Sequence, residues 1–455
     1  MAKLEDIVSL CKRRGFIFAG ADVYGGFAGT WDFGPLGVML KKNIMDAWWN
    51  FWVEKRDDIY GVDAAILMNP KTWVASGHTA TFADPLVECK SCHGRFRTDK
   101  LADGINESVS TEEFLKLNVK CPTCGKTDWG EIRKFNMMFM THVGAVLPED
   151  ATGSEESKAL LEKSVAYLRP ETAQGIFTNY KNVVDCFYPS LPFGLAQQGK
   201  AFRNEISPRD FILRDRECSQ MEIEYFVHPE TWEENFEKLL KENDEFLCEK
   251  MGLDLKKIHH LEVAPEDRAH YSKRTVDFMF EYLNGEEELM GLAYRTDFDL
   301  KNIERESGKS MEYRDKVTGE TFVPHVIEPS IGVERLFLAI LCSAYSEEKV
   351  DGKDETRTIL KFPENLAPYK FCVSPLLKNK PELVEKAREV YNLLKEKYTF
   401  VTWDDSGNIG KRYRKQDEIG TPKCVVIDFD TLTDGTVTVR DRDSATQIRQ
   451  NPEEL

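Results

Sequence analysis

The chain has 455 residues, which exceeds the size of a single ordinary core and predicts two or three domains. With 41% hydrophobic, 11% aromatic and 31% charged residues it has the composition of a globular protein, and it contains no apolar run long enough to span a membrane. The net charge of −17 argues against a polyanionic partner, but residues 365–455 carry 15 basic and 15 acidic side chains, so this part of the chain is balanced and can still bind a nucleic acid.

The opening segment Met1-Ala2-Lys3-Leu4-Glu5-Asp6 turns acidic before any apolar stretch develops, so we expect no secretory signal. Eleven cysteines in a chain without an export signal indicate reduced thiols and metal ligands, not disulfides. The expected location is the cytoplasm, without membrane contact.

Residues 1–84 alternate glycine-rich turns with aromatic segments. Gly34-Pro35-Leu36-Gly37 precedes an amphipathic stretch, residues 38–54, which predicts a helix. The simplest interpretation of this segment is a capped helix of the core.

The composition changes at Pro85. Residues 85–164 interrupt the alternation of glycine-rich turns and aromatic segments. This segment contains the pairs Cys89/Cys92 and Cys121/Cys124, each with two residues between the cysteines and with a 28-residue loop between the pairs. This is the spacing of a four-thiolate zinc site. Cys92-His93 also completes a haem-attachment pattern, but that would leave the second pair unused. Structural zinc is therefore favoured, with unligated thiols as the alternative.

Residues 199–227 concentrate charges of both signs, namely Arg203, Arg209, Arg214, Arg216, Glu205, Glu217, Glu222 and Glu224. From Met221 onward apolar and acidic residues alternate, which predicts a strand with Glu222 and Glu224 on one face. The ordinary interpretation is a solvated face whose arginine–glutamate pairs stabilise little. The alternative is a site in which arginines hold a polyphosphate and carboxylates hold an amine.

Further along, residues 231–250 carry a helical apolar stripe that is typical of core packing. Strands are predicted at residues 288–300 and before Glu328, and a buried helix follows Ile331. Residues 351–368 are polar and are predicted to link two domains.

The C-terminal part has the strand–helix–strand rhythm of a small α/β domain. Its predicted strands are 371–374, 400–403 and 423–429, its helix is 382–398, and Asp434-Gly435 predicts a hairpin turn. A basic run interleaves an aromatic residue with cations, which suits phosphate contact and base stacking, although such a run is usually a solvated loop. The run consists of Lys411, Arg412, Tyr413, Arg414 and Lys415.

Three longer motifs occur in order: RPETAQG at 169–175, FRNE at 202–205 and EPSIGVER at 328–335. Together with the arginine-rich segment that ends at Glu222 and with KRYRKQDEIGTP at 411–422, they resemble the class II aminoacyl-tRNA synthetases, specifically the homodimeric glycyl-tRNA synthetases. The resemblance covers essentially the whole chain. It implies an α+β fold in which helices flank an antiparallel sheet.

The same resemblance implies the domain organisation. The catalytic core would consist of residues 1–84 and 165–362, interrupted by the cysteine-containing insertion 85–164. A mixed α/β anticodon-binding domain would follow at 363–455. Its basic run, residues 411–415, would contact tRNA. The segment around Gly34-Pro35-Leu36-Gly37 would form the dimer interface.

The implied activity is glycine–tRNA ligation: glycine and Mg·ATP give glycyl-adenylate, and glycine then passes to the 3′ end of tRNA-Gly. Arg203 would grip the α-phosphate and the carboxylate, Glu205 would face adenine, and Arg335 would reach the far phosphate and the adenine ring. Glu288 would contact ATP and suit Mg²⁺. The implied ATP-binding residues are Arg203, Asn204, Glu205, Leu213, Arg214, Asp215, Arg216, Glu217, Cys218, Glu288, Leu289, Gly332, Val333, Glu334 and Arg335.

In the implied glycine pocket, Glu171, Glu222, Glu328 and Ser330 surround the substrate ammonium. Converging carboxylates repel one another and take up protons unless a cation is bound. Any rival amino acid is larger than glycine, so a filled pocket excludes it without an editing domain. The implied glycine-binding residues are Arg97, Glu171, Cys218, Ser219, Gln220, Met221, Glu222, Glu328, Pro329, Ser330, Ile331 and Gly332; for Arg97 a surface role beside the metal site is the alternative.

Two alternatives compete with this activity. A non-catalytic relative that binds nucleic acid should have lost the motif residues, yet Arg203, Glu205 and Arg335 are present. The second alternative is a synthetase for another small amino acid. The set Glu171, Glu222 and Glu328 argues against it.

The chain also departs from the family. Most relatives have phenylalanine and then glutamate where this chain has Cys218 and Ser219, and the phenylalanine ring lies against adenine. A thiol offers less stacking surface, so we expect adenine to rest mainly on Arg335 and ATP to bind more weakly.

Overall fold

The computed structural model of the chain describes residues 3–101, 109–144, 155–206, 208, 210–349 and 356–455; Arg209 of the arginine-rich segment therefore lies outside the described residues. The N-terminal elements are α1 (Leu4–Arg14), β1 (Ile17–Ala19), β2 (Trp31–Phe33), α2 (Pro35–Trp49), β3 (Ile59–Gly61), α3 (Lys71–Ala75) and α4 (His78–Thr81). Helix α2 begins with Pro35 in its first turn and continues into a π-helical turn, Asn50–Glu54. A Cβ atom on Gly37 would lie 1.9 Å from the carbonyl oxygen of Phe16, so only glycine lets α2 pack this closely.

Residues 83–164, which include the predicted insertion 85–164, contain β4 (Ala83–Glu88), β5 (Arg95–Arg97), α5 (Thr111–Lys116), β6 (Arg133–Asn136), β7 (Met140–His142) and α6 (Glu155–Ser164). β4 lies between β5 and β6 in a small antiparallel sheet. Val87, Phe114 and Trp129 form a separate core here, together with Cys89 and Cys121. The cysteine pairs therefore belong to an independently packed module.

The central part of the chain follows. It consists of β8 (Val165–Tyr167), α7 (Ala173–Phe187), β9 (Phe193–Phe202), β10 (Glu217–Val227), α8 (Trp232–Glu245), β11 (Ile258–Glu262), β12 (Arg274–Tyr282), β13 (Gly285–Thr296), α9 (Phe298–Ser307), β14 (Tyr313–Arg314), β15 (Thr321–Phe322), β16 (His325–Gly332) and α10 (Val333–Ala344). Seven strands pair in the order β11-β12-β13-β16-β10-β9-β3. All neighbours are antiparallel except β3 and β9.

Helices cover both faces of this sheet because successive side chains of a strand point to opposite sides. Met221, Ile223 and Tyr225 of β10 join the large core formed with α2, α8 and α10. Phe226 points the other way, into a second core with α7. The predicted antiparallel sheet flanked by helices is confirmed.

The remaining elements are β17 (Tyr345–Lys349), β18 (Thr356–Leu360), β19 (Phe371–Pro375), α11 (Pro381–Lys397), β20 (Val401–Trp403), α12 (Ile409–Ile419), β21 (Lys423–Ile427), α13 (Thr431–Asp434), β22 (Val437–Asp441) and β23 (Gln447–Gln450). Five of these strands form a mixed sheet in the order β20-β19-β21-β22-β23. β20, β19 and β21 are parallel, whereas β21, β22 and β23 are antiparallel. The predicted mixed α/β domain is confirmed.

Three predicted elements were wrong in detail. The predicted linker 351–368 contains strand β18, which pairs with β17, while residues 351–355 lie outside the described part. Asp434-Gly435 does not close a hairpin, because it ends the short helix α13. The strand predicted at 288–300 ends at Thr296, and α9 follows it.

Helix α12 connects the C-terminal domain to the catalytic body. Glu418 accepts hydrogen bonds from Arg14 of α1 at 2.6 Å and from Arg13 at 3.2 Å. Asp417, which is 1% exposed, pairs with Arg357 of β18 and with Arg440 of β22. Among the helices that the structure describes, none is both long and apolar enough to cross a membrane.

Candidate active site

A cavity of about 620 Å³ lies on one face of the seven-stranded sheet. Alternate residues of four neighbouring strands line it, as expected for side chains that share one face of a sheet. These are Cys218, Gln220, Glu222, Gly291, Ala293, Glu328, Ser330, Gly332, Thr275 and Asp277. Arg97 and Met137 from the predicted insertion form part of the wall, next to residues 81–84 that precede it.

Most of the residues predicted for ATP and glycine line this cavity. They are Arg97, Glu171, Arg203, Glu205, Leu213, Arg214, Asp215, Cys218, Gln220, Glu222, Glu288, Leu289, Glu328, Ser330, Gly332, Glu334 and Arg335. The structure thus brings together side chains that are up to 238 positions apart in the sequence.

The other predicted residues are not among the lining side chains. They are Asn204, Arg216, Glu217, Ser219, Met221, Pro329, Ile331 and Val333. Ser219, Met221, Pro329 and Ile331 occupy the positions between the lining residues of β10 and β16, so their side chains point to the opposite face.

Two of the charged residues outside the cavity have other contacts. Glu217 forms an ion pair with Lys200 at 3.0 Å. Arg216 donates to the carbonyl oxygens of Ala28 and Glu205, and its guanidinium lies over the ring of Phe27. Arg216 therefore holds the N-terminal segment in place.

Arg203 and Arg335 bring the guanidinium groups of the second and third motifs into the cavity. Arg203 follows β9 and donates to the carbonyl oxygen of Pro170 at 3.2 Å. Arg335, in the first turn of α10, pairs with the Glu288 carboxylate at 3.0 Å. Burial alone would raise the pKa of Glu288, but the charge of Arg335 more than offsets it and holds that pKa below its usual value. Both cations are available to phosphate oxygens.

Glu222 lines the cavity, is 2% exposed and accepts two hydrogen bonds. Thr172 Oγ1 donates to its Oε2 at 2.5 Å, and Ser330 Oγ donates to its Oε1 at 2.7 Å. Burial and the nearby charge of Glu171 raise the pKa of Glu222 in spite of these bonds. A cation beside this carboxylate would favour its ionised form and lower the pKa again.

Glu171 is held by partners that the sequence analysis missed. Its Oε2 lies 3.4 Å from Nε2 of His78, whose Nδ1 lies 2.8 Å from Ser76 Oγ. Gln174 Nε2 donates to Glu171 Oε1 at 3.3 Å. Burial alone would raise the pKa of Glu171, but His78 and the charge of Arg295 outweigh it, so this pKa lies below its usual range.

Arg295 is a second residue that the sequence analysis missed. It is 1% exposed, and its Nη1 donates to both oxygens of Glu328 at 3.0 and 3.1 Å while Nε and Nη2 donate to Asp299. Burial raises the pKa of Glu328 well above its usual value although Arg295 opposes it. The sequence could have revealed Arg295, because an arginine inside an apolar strand requires a buried acidic partner. No comparable signal marks His78.

Lys41 connects helix α2 to the cavity wall. Its Nζ donates to Glu334 Oε1 at 2.6 Å and to Ser219 Oγ at 2.8 Å, and the amide of Ser219 donates to Glu334 Oε2. Burial and the charge of Glu334 raise the pKa of the neighbouring Asp215 to about 8. Lys41 therefore supports the strand that carries Cys218.

The four predicted metal ligands lie together in the insertion. The Sγ atoms of Cys89, Cys92, Cys121 and Cys124 all lie within 4.8 Å of one another, and two pairs are 3.6 Å apart. A tetrahedral site with Zn–S bonds of 2.3 Å requires sulfur–sulfur distances of about 3.8 Å. Backbone amides of Gly94, Thr123, Cys124 and Lys126 point at these sulfurs. The arrangement fits zinc, and disulfide bonds are absent from it because the sulfurs are too far apart.

The basic run 411–415 lies on helix α12, where it presents two different faces. Arg412 is 3% exposed and donates to the backbone carbonyls of Pro375, Asp405 and Gly407. Tyr413 is half-buried beneath the guanidinium of Arg440. Arg412 and Tyr413 thus pack against other residues of this domain, whereas Lys411, Arg414 and Lys415 lie on the exposed face.

Two family models match the chain. The one described as "tRNA synthetase class II core domain (G, H, P, S and T)" covers residues 161–344, and the one described as "Anticodon binding domain" covers residues 370–455. The second match coincides with the mixed α/β domain.

Curated relatives are similar to the chain over nearly its whole length. The glycine–tRNA ligase of Ureaplasma urealyticum serovar 10 is 46% identical over 99% of this chain and 94% of its own. Those of Clostridium tetani and Clostridium kluyveri are 47% and 45% identical over 99% of this chain and 96% of theirs.

Among solved structures, the prolyl-tRNA synthetase of Cryptosporidium parvum in complex with L-proline and AMP is similar in fold. Its TM-score is 0.62 with 12% sequence identity, over 99% of this chain and 72% of that one. At this identity the likeness concerns the fold alone.

Proposed function

This chain belongs to the family of glycine–tRNA ligases, and from that premise we propose which of its residues carry each part of the reaction. It is an ATP-dependent aminoacyl-tRNA synthetase that activates glycine and charges tRNA-Gly. The glycine carboxylate attacks the α-phosphate of ATP, which gives glycyl-adenylate and pyrophosphate; the 3′-terminal ribose of tRNA then takes the glycyl group and AMP leaves. The non-catalytic alternative is not favoured.

One observation carries the assignment of roles. A single cavity contains the guanidinium groups of Arg203 and Arg335 together with the carboxyl groups of Glu171, Glu222 and Glu328. The arginines would stabilise the negative charge that develops at the α-phosphate, and the carboxylates would hold the ammonium group of glycine. Ser330 would keep Glu222 oriented through its hydrogen bond.

Glycine-dependent pyrophosphate–ATP exchange tests this assignment. Replacing Arg203 by alanine should reduce kcat by about 10²- to 10³-fold, as expected for loss of a preorganised donor. Arg216→Ala is the matched control, because that guanidinium binds backbone carbonyls outside the cavity and should change exchange far less. Exchange supported by alanine or serine in place of glycine would contradict the substrate assignment.

Class II synthetases use ATP with Mg²⁺, and the residues of the cavity fit that ion. Glu288 and Asp277 both line the cavity, and burial together with Glu288 raises the pKa of Asp277 to about 6. Carboxylate oxygens are the ligands that Mg²⁺ prefers. We propose that Glu288 and Asp277 hold the ion, which when bound would neutralise phosphate charge.

We further propose that Cys89, Cys92, Cys121 and Cys124 hold one structural zinc ion. The sulfur–sulfur distances and the backbone amides that point at the sulfurs support it. Charging of tRNA serves protein synthesis, so we propose the cytoplasm as the location; eleven cysteines without a disulfide bond suit a reducing compartment.

For tRNA, we propose contact through the exposed side of α12, which carries Lys411, Arg414 and Lys415. The family match of residues 370–455 to an anticodon-binding domain supports this position. Phosphate contacts of this kind should make tRNA affinity fall with salt.

The proposed assembly is a homodimer. The N-terminal segment exposes apolar side chains that a second copy would cover, namely Val23 (88%), Tyr24 (91%), Phe27 (61%) and Val38 (53%). Sedimentation equilibrium should give twice the mass of one chain, and Tyr24→Glu should shift the mass toward that of one chain. A single-chain mass for the unmodified protein would contradict the dimer.

A further inference from the structure

Glu224 is a buried carboxyl group that the reaction described above does not use. It follows Glu222 by two positions on β10, so both side chains lie on the same face of the sheet. Glu224 is 0% exposed, and within the described part of the chain neither of its carboxyl oxygens has a hydrogen-bond partner. A buried polar group without a partner requires a physical explanation.

The register of the sheet places Glu224 opposite another acidic residue. Glu222 pairs with Ser330 and Tyr225 with Ile327, so Glu224 falls opposite Glu328 of β16. One oxygen of each of Glu222, Glu224 and Glu328 lies within 4.8 Å of the other two. Like charges directly opposite on antiparallel strands destabilise the pair.

The charged groups that face Glu224 do not compensate it. They are Glu222 on its own strand, Glu328 on β16, Arg295 on β13 and Asp299 on α9. Arg295 already donates Nη1 to Glu328 and its other two nitrogens to Asp299. The cluster therefore holds one guanidinium, and its hydrogen bonds go to other carboxylates.

An isolated buried carboxylate costs more than a neutral acid, so such a group takes up a proton. Burial and the charge of Glu328 raise the pKa of Glu224 well above its usual value. Once protonated, the carboxyl group has one O–H donor, and the Glu328 carboxylate is the acceptor opposite it.

We propose that Glu224 is a neutral carboxylic acid that positions Glu328 by donating a hydrogen bond to its carboxylate. Glu328 is then held by Arg295 and Glu224 from the protein side, which leaves its remaining lone pairs to the cavity. The proton also removes one negative charge from the three carboxyl groups, which lowers the repulsion between Glu222 and Glu328 and the charge that the ammonium ion must offset. This inference rests on the proposed function, in which Glu328 contacts the ammonium group of glycine.

Two variants and an infrared measurement test the proposal. Glu224→Leu removes the donor at similar volume, and it should raise the KM for glycine about tenfold, as for loss of one hydrogen bond to a charged group, while the KM for ATP changes little. Glu224→Gln supplies a neutral side chain with an N–H donor and should recover most of that loss. A role in packing alone would not distinguish the two variants in this way. Melting temperatures of both variants show whether the fold is kept.

Infrared difference spectra between the unmodified protein and Glu224→Gln measure the protonation without glycine. We expect the carbonyl band of a protonated carboxylic acid, sensitive to D₂O and lost in the variant. A spectrum without this band at neutral pH would overturn the proposal, as would a glycine KM for Glu224→Gln as high as that of Glu224→Leu. If Glu328→Gln left the glycine KM unchanged, the proposed ammonium site would fail instead, whatever the infrared result.

Discussion

Cys218 occupies the position at which the family resemblance predicts an aromatic ring against adenine. Its side chain lines the cavity, and its Sγ donates to the carbonyl oxygen of Ala201 at 3.6 Å. Burial raises the pKa of this thiol to about 12, so it stays uncharged. A neutral thiol gives adenine little surface for stacking, whereas Arg335, which also lines the cavity, has a planar guanidinium on which a base can stack.

We expect Cys218→Phe to lower the KM for ATP by about two- to twelvefold, since an aromatic pair contributes about 0.5–1.5 kcal/mol beyond its buried area. Pyrophosphate–ATP exchange at saturating glycine measures this. Cys218→Ser, which has no ring, should give no such gain. An unchanged or higher KM in the phenylalanine variant would show that another aromatic residue of the wall, Phe82 or Tyr271, already supports the base.

Glu222 and Glu328 couple glycine binding to protonation. In the free protein burial raises both pKa values, and for Glu222 the charge of Glu171 adds to the shift. An ammonium group beside them favours the ionised forms and lowers these pKa values again. Binding of glycine therefore releases protons at pH values between the ordinary and the raised pKa.

The affinity for glycine should therefore rise with pH between the ordinary and the raised pKa values of these two carboxyl groups. It should fall as acid protonates them. Calorimetric titration with glycine in buffers of different ionisation enthalpy, between about pH 5 and about pH 8, measures the proton release. Glycolate lacks the ammonium group and serves as the control ligand. Glycine binding without proton release throughout this range would contradict the coupling.

At the scale of elements, the cysteine module and the catalytic cavity share a wall. β4 carries Asp84 into the cavity lining, and Asp84 pairs with Arg97 of β5 at 2.7 Å. The module has a small core of its own, so four ligated thiolates would contribute much of its stability. Loss of the metal should therefore also perturb the active site.

Metal analysis of the purified protein should find about one zinc ion per chain. Cys121→Ser should lose the zinc, lower the melting temperature of the module and reduce exchange activity. Cys186→Ser changes an exposed thiol on α7 and should do none of these. Zinc-free protein with full activity would show that the cysteines act as unligated thiols.

For the whole molecule, the contact between the two domains depends on a buried charge network. Asp417 of α12 accepts hydrogen bonds from Arg440 at 2.7 and 3.0 Å and from Arg357 at 3.3 Å. Arg357 comes from β18, which pairs with β17, so this carboxylate joins the anticodon-binding domain to the preceding part of the chain. Its removal would leave the buried guanidinium of Arg440 without its counter-charge, whereas Arg357 would keep its ion pair with Glu348 at 2.6 Å.

Asp417→Ala should destabilise the C-terminal domain and its docking by about 3–5 kcal/mol. Pyrophosphate–ATP exchange needs the catalytic body alone and should be kept within about threefold, whereas aminoacylation of tRNA-Gly should fall by about tenfold or more. Asp430→Ala removes an exposed carboxylate from the same domain and is the matched control. Equal losses of both activities would show that the network supports the catalytic fold itself.

The sequence by itself determined the fold class, the family and most of the residues around the cavity. Period-two alternation separated Met221, Ile223 and Tyr225 from Glu222, because strand side chains alternate whatever the sheet packs against. The spacing of the cysteine pairs, likewise local, brought four sulfurs together. Motifs identify such residues because their spacing along one element already fixes the direction in which they point.

Only the tertiary structure decided how these residues are paired and which side chains reach the cavity. His78, Arg295 and Lys41 come from separate elements, and their contacts with Glu171, Glu328 and Glu334 exist only once the strands and helices are assembled. The same holds for Arg412, whose burial depends on strands that pack beneath α12. Charge in a sequence does not reveal burial, since the cost of burying a charge depends on partners that are distant along the chain.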